Sequence, residues 1–273
     1  MTVEELLVFA KKHIHSDHAK ILLAEILGKN SLELLMYLDD IVDDEKAEKY
    51  KKEVLALKEG KPVQYAIGNI NFYGYNYDID ERVLIPRFET EELVENTIKL
   101  AKEHFKSPVD IIDLGTGSGV IGLTLEKELS TNSVDLVDIS KEALEVTKIN
   151  CEKHNSKANI IHNDMLNNIT KKYDIIISNP PYISYDEEIE DIVKNNEPTI
   201  ALYASNNGLH FYEEILNNIK NCTKDKYLVA FEIGYKQKND ILNLINKNLN
   251  NVKVFTKKDL QERDRMIFIL KDE

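Results

Sequence analysis

From Pro108 onward the chain alternates short runs of branched apolar residues with longer amphipathic stretches, and this alternation restricts the fold more than any other feature. Runs at 109–114, 133–138, 159–162, 173–178, 227–232, 252–256 and 266–270 read as strands. Segments near 120–129, 140–154, 208–221 and 236–248 read as helices, with Ser140 an N-cap for the second. Such alternation predicts an α/β fold: a mostly parallel sheet with helices on both faces. The last two strands lack a helix between them, so an antiparallel hairpin at the sheet edge is expected.

The first 60 residues contain no strand pattern. Leu6, Leu7, Ala10 and Ile14 recur at helical spacing, as do Ile21, Leu22 and Ile26, then Leu34, Leu35 and Leu38. Asp17 is a candidate cap for the second helix and Ser31 for the third, with Gly28 ending the second. A fourth helix is expected to open at Asp43-Asp44-Glu45 and run through Leu57, closed by Gly60 and Pro62. His13, His15 and His18 lack metal-site spacing and further ligands, and read as solvated side chains. Ile67 to Ile79 is rich in aromatic residues, Gly and Asn, which predicts a β-hairpin. The expected organisation is a helical domain over 1–62, a hairpin linker over 63–82, and an α/β domain over 83–273.

Charge argues against one class of partner, leaving only a local basic groove open to it. The net charge is −13, and the first 60 residues hold nine Lys against thirteen Asp or Glu. Binding nucleic acid mainly through phosphates needs clustered Lys and Arg instead. Cys151 and Cys222 are far apart and without metal-ligand spacing, which fits a reducing compartment. The acidic start, Met1-Thr2-Val3-Glu4-Glu5, lacks the order of a signal peptide. No apolar run approaches the roughly 20 residues that span a bilayer. A cytoplasmic protein without metal, membrane partner or stable nucleic-acid partner is expected.

Two loops carry chemistry. Asp113-Leu114-Gly115-Thr116-Gly117-Ser118-Gly119 lies between the first strand of the sheet and a helix, where glycines let the backbone approach a ligand beside the positive end of that helix. Such turns serve nicotinamide cofactors and S-adenosylmethionine alike. Here the spacing is GxGxG and not the GxGxxG of the dinucleotide fingerprint. Asp113 would also repel a pyrophosphate while tolerating a cationic ligand. Asp138 ends the next strand, about 20 residues on, as ribose binding needs. Asn163-Asp164-Met165 follows the third strand, where an adenine edge is expected, with Asp164 as acceptor and Met165 as apolar packing. A plain acidic turn explains that stretch nearly as well.

The second loop is Asn179-Pro180-Pro181-Tyr182, at the tip of the strand Tyr173–Ser178. Chemistry in α/β folds gathers at such carboxyl ends. The prolines fix φ, carry no N–H, and hold Asn179 and Pro180 extended. The Asn179 side-chain oxygen and the carbonyls of Asn179 and Pro180 form a rigid acceptor cluster with the flat face of Tyr182 beside it. That arrangement suits a planar –NH2 group.

Together Asp113–Gly119, Asp138 and Asn179–Tyr182 resemble class I, Rossmann-like methyltransferases acting on amino nitrogens. Val83-Leu84-Ile85-Pro86-Arg87-Phe88-Glu89-Thr90-Glu91, Asn196-Glu197-Pro198-Thr199-Ile200-Ala201-Leu202 and the helical N-terminal region narrow the resemblance to the HemK/PrmC family, the release factor glutamine N5-methyltransferases. Phe88 stands where that family usually has proline, and Met165 where an aromatic is common. The resemblance implies a seven-stranded sheet, and S-adenosylmethionine held by Asp113, Gly115, Thr116, Gly117, Ser118, Gly119, Asp138, Asp164, Met165 and Asn179. It implies the glutamine of a Gly-Gly-Gln loop in class 1 release factors as substrate, met by Asn179, Pro180, Pro181 and Tyr182, and a monomeric enzyme. Asn179, Pro180 and Tyr182 would be its catalytic residues, with Arg87 and Glu197 bracing the loop. The alternatives are an N6-adenine methyltransferase, which would need a basic groove, a nicotinamide-dependent oxidoreductase, and a binding module without chemistry.

Overall fold

In the computed structural model, which describes residues 1–272, the chain divides into two compact units. The first comprises residues 1–70 and 190–196; the second comprises 71–189 and everything from 197 onward.

The first unit is helical because its polar caps and apolar stripes agree. Helix α1 (Val3–Ala10) opens with a capping box: Thr2 Oγ1 accepts from the Glu5 amide, and the Glu5 carboxylate accepts from the Thr2 amide. Helix α2 (Ser16–Leu27) ends at Gly28 as expected, but its cap is His15, whose Nδ1 accepts from the Asp17 amide at 3.4 Å. Asp17 instead sits in the first turn, beside the positive helix end. Where leucines 34, 35 and 38 predicted a third helix, only a short 3-10 helix forms, Glu33–Tyr37, with Leu38 just past its end. Ser31 does not cap it; the Asn30 side chain turns back onto the Leu32 amide, and no cap hydrogen bond follows. Helix α3 (Asp44–Lys58) starts at its Asp43 cap. Leu6, Leu22, Leu23, Leu34, Tyr50 and Val54 fill this core, and the buried Tyr50 hydroxyl donates to the Ala19 carbonyl at 3.0 Å. The expected hairpin is shorter than 63–82, because Val63–Ile67 forms a helical turn, α4, closed by Gly68. Strands β1 (Asn69–Phe72) and β2 (Tyr75–Asp78) meet at Tyr73-Gly74, both at positive φ as a two-residue hairpin turn demands.

The second unit contains a helix absent from the sequence reading, α5 (Phe88–His104). Its buried stripe is Thr90, Leu93, Val94, Thr97, Ile98 and Ala101. Two of those positions are threonines, which break the apolar signal; Thr97 hides its hydroxyl on the Leu93 carbonyl at 2.7 Å. The chain continues through β3 (Val109–Leu114), α6 (Val120–Glu128), β4 (Thr131–Asp138), α7 (Lys141–His154), β5 (Asn159–His162) and β6 (Tyr173–Ser178). Helix α8 (Asp191–Asn196) belongs to the first unit, where Asn196 donates to the Gly60 carbonyl. Then come α9 (Thr199–Leu202), α10 (His210–Cys222), β7 (Thr223–Glu232), α11 (Lys238–Asn248), β8 (Lys253–Lys258) and β9 (Asp264–Lys271).

The seven strands lie in the order β5-β4-β3-β6-β7-β9-β8. All pairs are parallel except those of β9, which runs antiparallel to both β7 and β8. Alternate residues go to opposite faces. Ile111, Ile175, Ile177 and Leu228 join Leu93, Ile98 and Leu123 on one side, while Ile112, Ile176, Val229 and Phe231 join Tyr212, Ile215 and Ile241 on the other. The strand order reverses between β3 and β6, and the carboxyl ends there form a crevice.

Buried Asn150 of α7 ties the hairpin to the loop after β3. Its Nδ2 donates to the carbonyls of Asp78 and Ser118 at 2.9 and 2.8 Å, and its Oδ1 accepts from the Asp78 amide at 2.7 Å. Asn150→Ala should destabilise the protein by about 1–3 kcal/mol, since buried groups lose their partners; urea unfolding of the variant against the parent measures this.

Candidate functional site

The glycine loop after β3 is held from three sides. Asp138, at the end of β4, accepts from the Gly117 amide at 2.8 Å and, through its other oxygen, from the Ser140 amide at 2.9 Å. Thr147 of α7 donates to the Gly117 carbonyl at 2.7 Å, and Asn150 holds Ser118. Asp113 lies wholly buried beneath the loop. Its Oδ2 accepts from the Thr116 hydroxyl at 2.6 Å and the Gly122 amide at 3.0 Å, whereas its Oδ1 has no hydrogen-bond partner. Burial, which those two donors only partly offset, pushes this carboxyl up to about 7. Burial also raises Asp138, against its backbone donors.

A cavity of about 280 Å³ opens above the loop. Of the residues singled out in the sequence, Gly115, Gly117, Asp138, Asp164, Met165, Asn179 and Pro181 line it. Asp113, Thr116, Ser118 and Gly119 are buried behind that surface and shape the loop from below. Ile139, Ala143 and Phe211, which no sequence motif singled out, supply apolar wall together with Ile200. Ile139, directly after Asp138 and half exposed, was the one with a visible signal. The turn at 163–167 is closed by Asn163, whose side chain donates to the carbonyls of Met165 and Asn167 at 3.0 and 2.9 Å.

Across the crevice, the Asn179 side-chain nitrogen donates to Thr90 Oγ1 at 3.2 Å. Pro180 is buried. Tyr182, expected to present its ring to an amide, does not line the cavity. Its carbonyl accepts from Gln237 Nε2 at 2.9 Å, and its hydroxyl, pushed up by burial, is reached by Arg265 at 3.4 Å. Gly208 lies against that same carbonyl; at φ +80°, an added Cβ would sit 2.0 Å from it, so only glycine fits. Arg87 and Glu197 form a brace: they pair at 2.5 Å, Glu197 also accepts from the Ile85 amide, and Arg87 donates to the Ile85 carbonyl. Among the described residues no His, Cys, Asp and Glu grouping suits a metal ion, and no helix is long and apolar enough to cross a membrane.

A glycine loop, a strand-end carboxylate and an Asn-Pro-Pro-Tyr tip around one crevice of a seven-stranded sheet define a methyltransferase. Residues 90–196 match the family described as Methyltransferase small domain, and residues 7–68 match the PrmC N-terminal domain. The release factor glutamine methyltransferase of Bacillus subtilis (strain 168) is 38% identical over 281 residues, covering 98% of this chain and 98% of its own. That of Streptococcus pneumoniae (strain ATCC BAA-255 / R6) is 42% identical over 211 residues, covering 77% of this chain and 75% of its own. Among solved structures, a methyltransferase from Pyrococcus furiosus shares the fold with a TM-score of 0.55 at 17% identity, over 74% of this chain and 91% of that one. The chain belongs to the release factor glutamine methyltransferase family.

The buried Asp113 predicts a pH signature. Its folded-state pKa, about 7, lies above the ordinary 3.8, so the stability its neutral form contributes is fully present below that ordinary value and lost as pH rises through about 7. Asp113→Asn stays neutral and removes this loss. Urea midpoints of parent and variant, measured in parallel from acid to neutral pH, should therefore diverge as pH rises, by on the order of a few kcal/mol, and then stay level.

Proposed function

We propose that this chain transfers a methyl group from S-adenosylmethionine to the side-chain amide nitrogen, N5, of the glutamine in the Gly-Gly-Gln motif of class 1 peptide chain release factors. The observation that carries the reading is that Asn179 and Asp138 face one cavity, with the Asn179 amide nitrogen already engaged by Thr90. Family membership and the names of the relatives support this substrate over an adenine in DNA or RNA.

The residues present fit S-adenosylmethionine. Each Asp138 oxygen accepts one backbone N–H and keeps acceptor capacity for a ribose hydroxyl. When ionised, Asp113 leaves one oxygen unpartnered beneath the loop, which disfavours a pyrophosphate there. Gly117 leaves open space where a Cβ would point, and Ile139, Met165 and Phe211 offer apolar wall to a purine. When bound, S-adenosylmethionine supplies the electrophilic methyl group.

An amide nitrogen is a poor nucleophile because its lone pair is delocalised. The Asn179 oxygen and the Pro180 carbonyl accept the two N–H bonds of the glutamine amide. They orient that nitrogen and offset the positive charge that grows on it. No general base is required first, since the methylated nitrogen is acidic. Positioning of this kind supplies roughly 7–11 kcal/mol, and fixed dipoles add to it. Pro181 forms the nearby wall, while Tyr182 anchors the loop through Gln237, Gly208 and Arg265.

The helical first unit we assign to recognition of the release factor. It exposes Leu32, Met36 and Ile41 at 84%, 78% and 85%. The setting is the cytoplasm, where both buried free cysteines stay reduced, and one chain holds every residue invoked, so a monomer suffices.

Asn179→Ala should keep cofactor binding and fold while turnover drops on the order of 10²–10³-fold, as when one oriented polar group is lost. Asp138→Ala should markedly weaken S-adenosylmethionine binding in titration calorimetry. Mass spectrometry should place the methyl group on the glutamine side chain; methylation of oligonucleotide adenine, with none on release factor, overturns the reading. Replacing Leu32, Met36 and Ile41 together by Ser should raise KM for intact release factor and leave kcat unchanged, because remote contacts contribute binding.

A further inference from the structure

Three side chains from separate elements form one hydrogen-bonded file behind the cavity. Thr90 Oγ1, in the first turn of α5, donates to Glu232 Oε2, at the end of β7, at 2.7 Å. The same hydroxyl accepts from Asn179 Nδ2 at 3.2 Å. Thr90 and Glu232 are each only 2% exposed, whereas Asn179 lines the cavity.

We propose that Glu232 and Thr90 are positioning residues that fix which end of the Asn179 amide faces the substrate. This rests on the Asn179 role proposed above. The two ends of a side-chain amide have nearly the same shape, so packing does not choose between them. Hydrogen bonding does. A threonine hydroxyl has one proton, and Glu232 in its ionised form can only accept, so in that form the proton is committed to Glu232. The Thr90 oxygen can then only receive, and Asn179 must offer it an N–H. The acceptor oxygen of Asn179 is thereby left for the cavity. Turned over, Asn179 would set its oxygen against the Thr90 oxygen with no proton between them. It would also meet the substrate –NH2 with another –NH2, donor against donor.

The Glu232 side chain is buried at the strand end, with the fully buried apolar Phe231 and Ile233 on either side of it pointing to the opposite face. Burial pushes the Glu232 carboxyl up to about 7, a penalty that the Thr90 hydroxyl and the nearby Arg265 and Arg87 only partly offset and Glu89 adds to. Once ionised, above about 7, Glu232 is the acceptor-only group that the file needs. Glutamine, of equal size, can donate as well as accept, and would let the polarity of the whole file reverse.

The test is steady-state kinetics on full-length enzyme with S-adenosylmethionine and intact release factor. Thr90→Val keeps the shape and removes the hydroxyl; kcat should fall about 10–100-fold, the range general for one positioned group being up to 10²–10³. KM for release factor and calorimetric affinity for the cofactor should stay within about threefold. Thr90→Ser should restore most of kcat. Glu232→Gln, which removes a buried charge and should fold at least as well, should lower kcat about 10-fold. The Thr90→Val/Glu232→Gln pair should be no slower than Thr90→Val alone, since Glu232 acts only through Thr90. Additive losses, a rise in KM in place of a fall in kcat, or no rescue by serine overturns the file. If Asn179→Ala loses turnover and Thr90→Val does not, the file is wrong and the proposed function stands. If neither loses turnover, both are wrong.

Discussion

The site depends on one strand pairing. Strands β3 and β6 run side by side with Leu114 opposite Ser178, and the Ser178 hydroxyl donates to the Leu114 carbonyl at 2.7 Å. The next residue on one strand opens the glycine loop, and the next on the other is Asn179. A slip of one residue would turn the branched side chains of each strand to the wrong face, so two layers of core hold the register. The glycine loop and the Asn-Pro-Pro-Tyr tip are therefore placed by the same apolar packing that stabilises the sheet.

Around that pairing, polar groups work mainly to hold loops still. Asp138 joins the glycine loop to the start of α7, Asn150 joins the loop to the hairpin, and Arg87 with Glu197 ties residue 85 to residue 197. Asn179–Tyr182 is pinned at its far end by Gln237 and by the lack of a side chain at Gly208. Each contact is worth only about a kilocalorie per mole net. Their value is geometric, since a site that works by orientation loses rate when its groups drift.

Two carboxyl groups stand out from this pattern of satisfied polar groups. Asp113, at the end of β3, and Glu232, at the end of β7, are both fully buried, and burial raises both to about 7. Buried acids at the ends of β3 and β7, the two strands that flank β6, weaken a fold unless they do something else. Asp113 shapes the loop through Thr116 and Gly122, and Glu232 reaches Asn179 through Thr90.

Much of this was legible in the chain alone. The seven strands, the helices between them and the antiparallel edge follow from apolar periods, and the two loops follow from glycine and proline chemistry, all of which are local properties. Helix α5 escaped because Thr90 and Thr97 occupy its buried stripe; a threonine counts as polar until a partner for its hydroxyl is known. The leucines at 34, 35 and 38 suggested a longer helix than forms, since Asn30 turns the chain before a cap is in place. Tyr182 looked like a substrate contact because its position in the loop was visible and its anchors, Gln237 and Arg265, were not. The sequence by itself determined the sheet, its order of loops and the Asn-Pro-Pro-Tyr tip, through patterns that span a few residues. Only the tertiary structure decided what stands behind Asn179. Thr90 and Glu232 are 142 residues apart in the chain, and a hydrogen bond between them exists only once α5 has packed against β7.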